Sequence, residues 1–306
     1  MRVLVLGASG YLGGHITGGL RALPGARLLT AGRDPHADLR CDLATTPVRA
    51  LAELLARAAP DAVVNCAGAV GGDPLALAEV NARGPAALCA ALGEAAPAAR
   101  LVHLGSAAEY GPTAHGKRTG EAAPAAPVAP YGATKLAGTL AVTASGLDAV
   151  VLRVTNPVGP GAPRAGLPGR LTAELRRATA RSPHGTIQVG DLSAHRDFVD
   201  VRDVARAVAL AVTAAGPLPP LLNVGSGRAV PVRDLVAGLV RAARFQGRIE
   251  ESLTGVGRST AVSWQCADVT AAARALGWAP EHGLADAVGA LWAADGAGRP
   301  VTADRA

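Results

Sequence analysis

Tyr131 and Lys135 stand four residues apart in a segment patterned as a helix running to about Ala144, so their side chains leave the same face and can meet one ligand. A neighbouring ammonium stabilises a phenolate, which brings a tyrosine pKa down from about 10 toward the working range of a general acid or base. The same lysine can hold ribose hydroxyls. Ser106 follows the apolar run Arg100 to Gly105 and is the third member, its hydroxyl able to donate to the oxygen of a carbonyl or carbinol. These groups suit proton transfer coupled to hydride transfer at a carbon–oxygen bond. Tyr and Lys at this spacing also occur on ordinary surface helices, so the reading depends on the elements around them.

The strongest of those elements is RVLVLGASGYLGG, residues 2–14. Val3 to Leu6 form the compact apolar run of a fully buried parallel strand. Gly7, Gly10 and Gly13 then give a tight turn, an open backbone beside a pyrophosphate and close packing of the next helix. The loop through Ser9 and the first helical amides, at Tyr11 and Leu12, can bind phosphates. A second strand, Arg27 to Thr30, leads to Gly32 and Arg33 about 20 positions beyond the glycines, where dinucleotide sites carry an acid for the ribose hydroxyls or an arginine for a 2′-phosphate. Arg33 favours NADP(H) over NAD(H), which stays possible; Asp34 is the residue that would reverse the preference. Asp42-Leu43 ends the segment passing beside the adenine. The buried strand Asp61 to Cys66 ends in Ala67-Gly68-Ala69, small residues that admit a cofactor to the strand end.

Strand and helix signals alternate through the first half, the pattern of a parallel sheet covered on both faces. Helices are expected over Val48 to Arg57 and, unbroken, over Pro74 to Ala96 with Asn81 inside; another strand spans Asp148 to Val154. Pro and Gly then crowd residues 157–169 and mark a crossing into a second lobe. The reading is an α/β protein with a Rossmann-type doubly wound parallel sheet and a smaller, mixed α/β substrate-binding lobe. Residues 1–156 form the dinucleotide-binding domain, with 197–225 returning to it. Residues 157–196 and 226–306 form the substrate-binding lobe.

The chain has 306 residues and a formal net charge of +6, but its arginines are scattered and aromatics are only 3%, which argues against a nucleic-acid platform and suits an anionic small molecule. Cys41, Cys66, Cys89 and Cys266 lack the paired spacing of a zinc site or a disulfide framework, and the histidines show no ligand spacing, so no metal is expected. No apolar run approaches the ~18 residues of a membrane span, and the N-terminus enters a strand without a signal-peptide pattern; no membrane partner and a cytoplasmic location are expected.

The chain resembles the extended short-chain dehydrogenase/reductases, the group of NAD-dependent sugar-nucleotide epimerases, dehydratases and ketoreductases. The resemblance covers nearly its full length. It rests on Gly7-x-x-Gly10-x-x-Gly13, Asp42-Leu43, residues 65–68 (NCAG), 106–111 (SAAEYG), Tyr131-x-x-x-Lys135, 152–159 (LRVTNPVG), 196–201 (RDFVDV), 223–227 (NVGSG) and 276–278 (LGW). It implies Tyr131 as acid/base, Lys135 as its partner and Ser106 as the oxygen ligand. It also implies Val154 and Pro157 beside the cofactor, and Ser106, Ala107, Ala108, Asn156, Arg196 and Arg258 facing the substrate. Asn156 and the arginines would hold its diphosphate side. For Arg196 the competing reading is a salt bridge with Asp197 or Asp200.

Departures from the family pattern narrow the reaction. The 4,6-dehydratases carry an Asp-Glu pair directly after the serine or threonine, where this chain has Ala107 and Ala108, neither able to exchange a proton. Glu109 comes one position later, and strand alternation would turn it away, so it is placed outside the site. The resemblance thus implies an NADPH-dependent reductase of a keto-sugar nucleotide, at C4, acting in deoxysugar formation as a homodimer. The alternatives are an NAD-dependent 4-epimerase and a dinucleotide-sensing regulator without catalysis.

Overall fold

Short runs of Val, Leu and Ala buried on both faces form a stable parallel sheet only when helices cover each side. The computed structural model describes residues 1–181, 184–252 and 262–295. The first half alternates as β1 (Arg2–Leu6), α1 (Tyr11–Arg21), β2 (Arg27–Gly32), β3 (Leu39–Arg40), α2 (Val48–Ala58), β4 (Ala62–Asn65), α3 (Pro74–Ala78), α4 (Gly84–Ala95), β5 (Arg100–Ser106), α5 (Pro130–Thr143) and β6 (Ala149–Val154). There follow β7 (Asn156–Val158), α6 (Leu167–Arg181), β8 (Thr186–Val189), β9 (His195–Asp200), α7 (Val201–Thr213), β10 (Leu221–Val224), β11 (Ala229–Pro231), α8 (Val232–Ala243), β12 (Arg248–Glu251), α9 (Thr270–Leu276) and α10 (Leu284–Asp295).

The large sheet has the order β10-β6-β5-β4-β1-β2-β3, and every neighbouring pair is parallel. This is the expected doubly wound sheet, and its order reverses at β1, so a crevice opens there at the carboxyl ends of the strands. On one face Ile16, Leu20, Val204 and Val208 from α1 and α7 bury Val3, Val5 and Val102. On the other, Leu51, Leu55, Leu88 and Leu92 from α2 and α4 bury Leu4, Leu6 and Val63. A third core, with Val158, Leu171, Phe198, Leu235 and Leu291, joins α6, α8 and α10 to a small sheet of order β11-β9-β7. A further parallel pair, β12-β8, completes the mixed lobe.

Two segments depart from the sequence pattern. The unbroken helix expected over Pro74 to Ala96 is interrupted by a π turn, Glu79–Arg83, whose extra residue reorients Asn81. In the Pro- and Gly-rich stretch after Thr155 the chain forms β7, with Pro157 on a strand at the edge of its sheet, where a missing N–H breaks no ladder.

Candidate active site

Gly7 turns the chain out of β1 with φ +75°, and a Cβ there would lie 2.7 Å from the Ala67 nitrogen. A Cβ on Gly13 would lie 2.0 Å from the Gly7 carbonyl oxygen, so α1 packs directly on the loop that precedes it. No side chain caps α1 at Gly10 and no acid occupies its first turn. The helix N-terminus at Tyr11 and Leu12 therefore presents amide donors, beside Ser9, to an anion. At the far end of this crevice a cavity of about 420 Å³ is lined by Gly32, Arg33, Arg40, Cys41 and Asp42. Asp42 accepts the Ala44 amide at 3.0 Å, and Leu43 is buried beneath it in the core. Asp34 accepts the His36 amide at 2.8 Å, a contact within its own loop. A dinucleotide fits this cradle: glycines where a side chain would collide, an uncapped helix start, and two arginines at the adenosine end.

Ala67, Gly68 and Ala69 carry the chain out of β4. Asn81, reoriented by the π turn, clips this segment: its Oδ1 accepts the Ala69 amide at 2.9 Å, and its Nδ2 donates to the Ala69 carbonyl at 2.8 Å and to Thr134 Oγ1 at 3.3 Å. Asn81 thus ties the β4 exit to the second turn of α5. Reading residues 74–96 as one helix hid this role, although an asparagine buried in an otherwise apolar helix is itself a signal.

Ser106 ends β5 in register with Val154 on β6. Ala107, Ala108 and Glu109 form a single 3₁₀ turn behind it. The Ala108 amide donates to Ser106 Oγ at 3.2 Å, which leaves the hydroxyl proton free to be donated onward. Tyr131 and Lys135 lie in the first two turns of α5. Gly132 lets that helix approach closely, since a Cβ there would lie 2.5 Å from the Ala108 carbonyl oxygen. Ser106 lies near enough to Tyr131 for its hydroxyl to act on the phenol. Lys135 Nζ is buried and donates to the Leu104 carbonyl at 2.5 Å.

The electrostatics differ from the sequence expectation. Burial pushes the Tyr131 phenol up, Ser106 opposes this by hydrogen bonding, and the Glu109 carboxylate adds to the rise. Burial brings Lys135 down to about 8, and the Glu109 carboxylate partly opposes it. Desolvation of the whole cluster therefore outweighs the lowering of Tyr131 by an ammonium argued from the helical spacing.

Glu109 also departs from its expected orientation. The 3₁₀ turn folds it back beneath Ser106, where its carboxylate is fully buried and paired with Arg153 at 2.7 Å. Strand alternation missed this because the strand ends at Ser106.

On the far side of the crevice Asn156 donates to the Asp197 carbonyl at 2.9 Å and to Gln265 Oε1 at 2.6 Å, which identifies Gln265 as a further residue at this wall. Arg196 is buried and donates to the carbonyls of His195 and Val262. Asp197 accepts from Ser226, Gly227 and Ala267, while Asp200 caps α7 and pairs with Arg202. Val154 is buried at the end of β6 and Pro157 is half-buried on β7. Arg258 lies outside the described residues. A larger cavity, about 600 Å³, lies at the opposite edge of the sheet, and its Arg100 is engaged by Asp148 and the carbonyls of Ala211, Ala214 and Gly216. Among the described residues no cluster of His, Cys, Asp and Glu is arranged to hold a metal, and no helix is long and apolar enough to cross a membrane.

A parallel sheet with this strand order, a glycine turn under α1, and Ser, Tyr and Lys converging at the end of β5 define a dinucleotide-dependent oxidoreductase of the extended short-chain type. Residues 3–225 match the model of the NAD dependent epimerase/dehydratase family, and the chain belongs to that family. It is 38% identical over 304 residues to a dTDP-6-deoxy-L-talose 4-dehydrogenase (NAD(P)(+)) of Kitasatospora kifunensis, covering 96% of this chain and 95% of that one. It is 28% identical over 257 residues to a GDP-6-deoxy-D-mannose reductase of Pseudomonas aeruginosa, covering 80% and 81%. Among solved structures, RMD from Pseudomonas aeruginosa complexed with NADPH superposes with a TM-score of 0.82 at 25% identity, covering 96% of this chain and 98% of that one.

Proposed function

We propose that the protein reduces the 4-keto group of a nucleotide-linked 6-deoxy sugar, with NADPH as the reductant. The observation that carries this reading is the Ser106–Tyr131 hydroxyl pair at the end of β5, with Lys135 beneath it and alanines at 107 and 108, where elimination of water by the dehydratase route needs an acid and a base. The names of the relatives favour a deoxysugar bearing a nucleoside diphosphate, and the 38% identical one favours a dTDP sugar oxidised or reduced at C4.

The loop at Gly7, Ser9, Gly10 and Gly13 and the amides of Tyr11 and Leu12 would hold the diphosphate of the nicotinamide cofactor, whose chemistry when bound is to supply the hydride. Ala67, Gly68 and Ala69 would give it room, Asp42 and Leu43 would lie on the adenine side, and Val154 and Pro157 on the nicotinamide side. Ser106 donates to the carbonyl oxygen of the sugar and Tyr131 gives that oxygen its proton. Lys135 stabilises the phenolate left behind and binds ribose hydroxyls. Asn156, Gln265 and Arg196, at the wall formed by β7 and β9, would hold the sugar and its diphosphate. Incubation with NADPH and dTDP-4-keto-6-deoxy sugars, followed by loss of reduced-cofactor absorbance, tests this; no turnover across several such sugars rejects it. A 4-epimerase would instead turn over without added reductant and carry NAD through purification.

Arg33 and Arg40 project from adjacent strand ends in register Gly32↔Arg40 and line one cavity, which supports a 2′-phosphate clamp. Replacing either by Ala is expected to raise KM for NADPH about tenfold, ~1.4 kcal/mol, and to leave KM for NADH within twofold. Equal effects on both cofactors would remove the basis for preferring NADPH. Dimerisation through α4 and α5 is what the family resemblance implies, and Leu140, exposed on α5, is the residue that probes that face. Leu140→Asp is then expected to halve the mass seen by sedimentation, and an unchanged mass would exclude that face.

A further inference from the structure

One buried charge cluster takes no part in the chemistry derived above. One oxygen of Glu109 accepts the Ser106 amide at 2.7 Å, and the other takes Nε of Arg153 at 2.7 Å. Both side chains are nearly sealed from solvent, at 0% and 5% exposure. The Arg153 guanidinium lies 4.4 Å from the centre of the Tyr110 ring, and the Tyr110 hydroxyl donates to Asn223 Oδ1 at 2.8 Å. Asn223 in turn donates to the carbonyls of Thr119 and Asp268. Contacts therefore run from Ser106 across β5, β6 and β10. Gly105 is part of the arrangement, because a Cβ there would lie 2.9 Å from Glu109 Oε1 and 2.7 Å from Val151 Cγ1.

An ion pair buried for stability alone gains little over apolar packing, since desolvation consumes most of its attraction. This pair has a more specific geometry, because its carboxylate grips the main chain of a residue that meets the substrate. We propose that Glu109 is a positioning residue of the hydride-transfer reaction, an inference that rests on the roles of Ser106, Tyr131 and Lys135 given above: its carboxylate fixes Ser106 through the main chain and supplies the negative charge against which the Tyr131–Lys135 pair works.

The ionisable groups facing the cluster come from several elements. Tyr131 and Lys135 face it from α5, and Arg153 from β6. Cys66, beyond β4, and His103, on β5, act with Lys135, and Glu121 acts on Tyr110. Burial holds Cys66 and His103 in their neutral forms, so they add no charge. Within the ion pair it is the carboxylate that reaches Tyr131 and Lys135, raising both. Removing it lowers both, so the Lys135 proton, and after it the Tyr131 proton, is lost at a lower pH and the alkaline limb moves with them.

The test is the neutral pair Glu109→Gln with Arg153→Gln, which keeps an acceptor for the Ser106 amide and a donor–acceptor match between the two side chains. Two readouts are taken. One is the pH profile of NADPH-dependent reduction of a dTDP-4-keto-6-deoxy sugar. The other is an ultraviolet difference titration of the Tyr131 phenolate against Tyr131→Phe in the same background, which needs no substrate. Both are expected to move about one unit to lower pH, with kcat at neutral pH down roughly tenfold and KM for NADPH changed less than about twofold. Glu109→Asp retains the charge but draws back from Ser106, so it is expected to lose kcat without moving the alkaline limb; it also serves if the neutral pair does not fold. Superimposable titrations for the neutral pair, or a shifted limb for Glu109→Asp, overturn the proposal. Turnover surviving Tyr131→Phe in the native background would instead sink the underlying reading of the site, which the phenolate titration tells apart.

Discussion

Tyr131→Phe is expected to cut kcat about a thousandfold while the dissociation constant for NADPH stays within a factor of two, since a positioned acid or base contributes ~10²–10⁴ in rate. The substitution deletes one oxygen from a ring that burial and α5 hold in place, so packing is preserved and the proton is lost. The glycine loop proposed to hold the cofactor, Gly7 to Gly13, lies at a different strand end and is not altered. The loss should appear equally in kcat and kcat/KM, the mark of an interaction made only in the transition state. Stopped-flow measurement with NADPH and a dTDP-4-keto-6-deoxy sugar, beside fluorescence titration of NADPH binding, checks both halves. Retention of more than about a tenth of the native rate would remove Tyr131 as the proton donor, because no effect of such size fits general acid catalysis.

Lys135→Met is expected to abolish activity and to make the fold more stable. Burial brings the ammonium from an ordinary 10.5 down to about 8 in the folded protein. At neutral pH the charged form therefore costs the fold about 3 kcal/mol, against which the hydrogen bond to the Leu104 carbonyl returns about 1 kcal/mol. The sign follows from proton counting. Between pH 8 and 10.5 the unfolded chain holds a proton that the folded one has released, so stability rises with pH across that window, and below 8 the whole cost is present. The stabilisation by Met is thus largest at pH 7 and fades as pH rises through 8. Urea unfolding at pH 7 and pH 10 measures it; a variant less stable than the native chain at pH 7 contradicts the argument. The same titration sets the activity of the native enzyme. If the ammonium must be present, kcat falls as pH rises through about 8, and a profile flat to pH 10 would exclude that requirement.

Much of the architecture was legible because it is written in local periodicity. The runs at β1, β4, β5 and β6 are continuous and apolar, and the glycines at 7 and 13 occur where a side chain would strike the backbone of Ala67 or Gly7. The strands that went unseen, β3, β7, β11 and β12, are two to four residues long, too short to carry an alternation. Their pairing partners decide them. Arg40 illustrates the consequence: it lines a cavity with Arg33 only because β3 pairs with β2.

The sequence by itself determined the doubly wound sheet and the family, and it named the residue types able to carry the proposed chemistry, because each depends on contacts among near neighbours in the chain or on residue chemistry alone. The tertiary structure decided the charge state of the site and the supports of its reacting groups. Asn81 joins β4 to α5 only after a π turn has reoriented it, and Glu109 meets Arg153 across 44 positions of chain. Desolvation, which raises Tyr131 and lowers Lys135, is a property of everything packed around a side chain. Four residues of helical spacing bring a phenol and an amine to one face, but the dielectric they share comes from strands and turns far away in sequence.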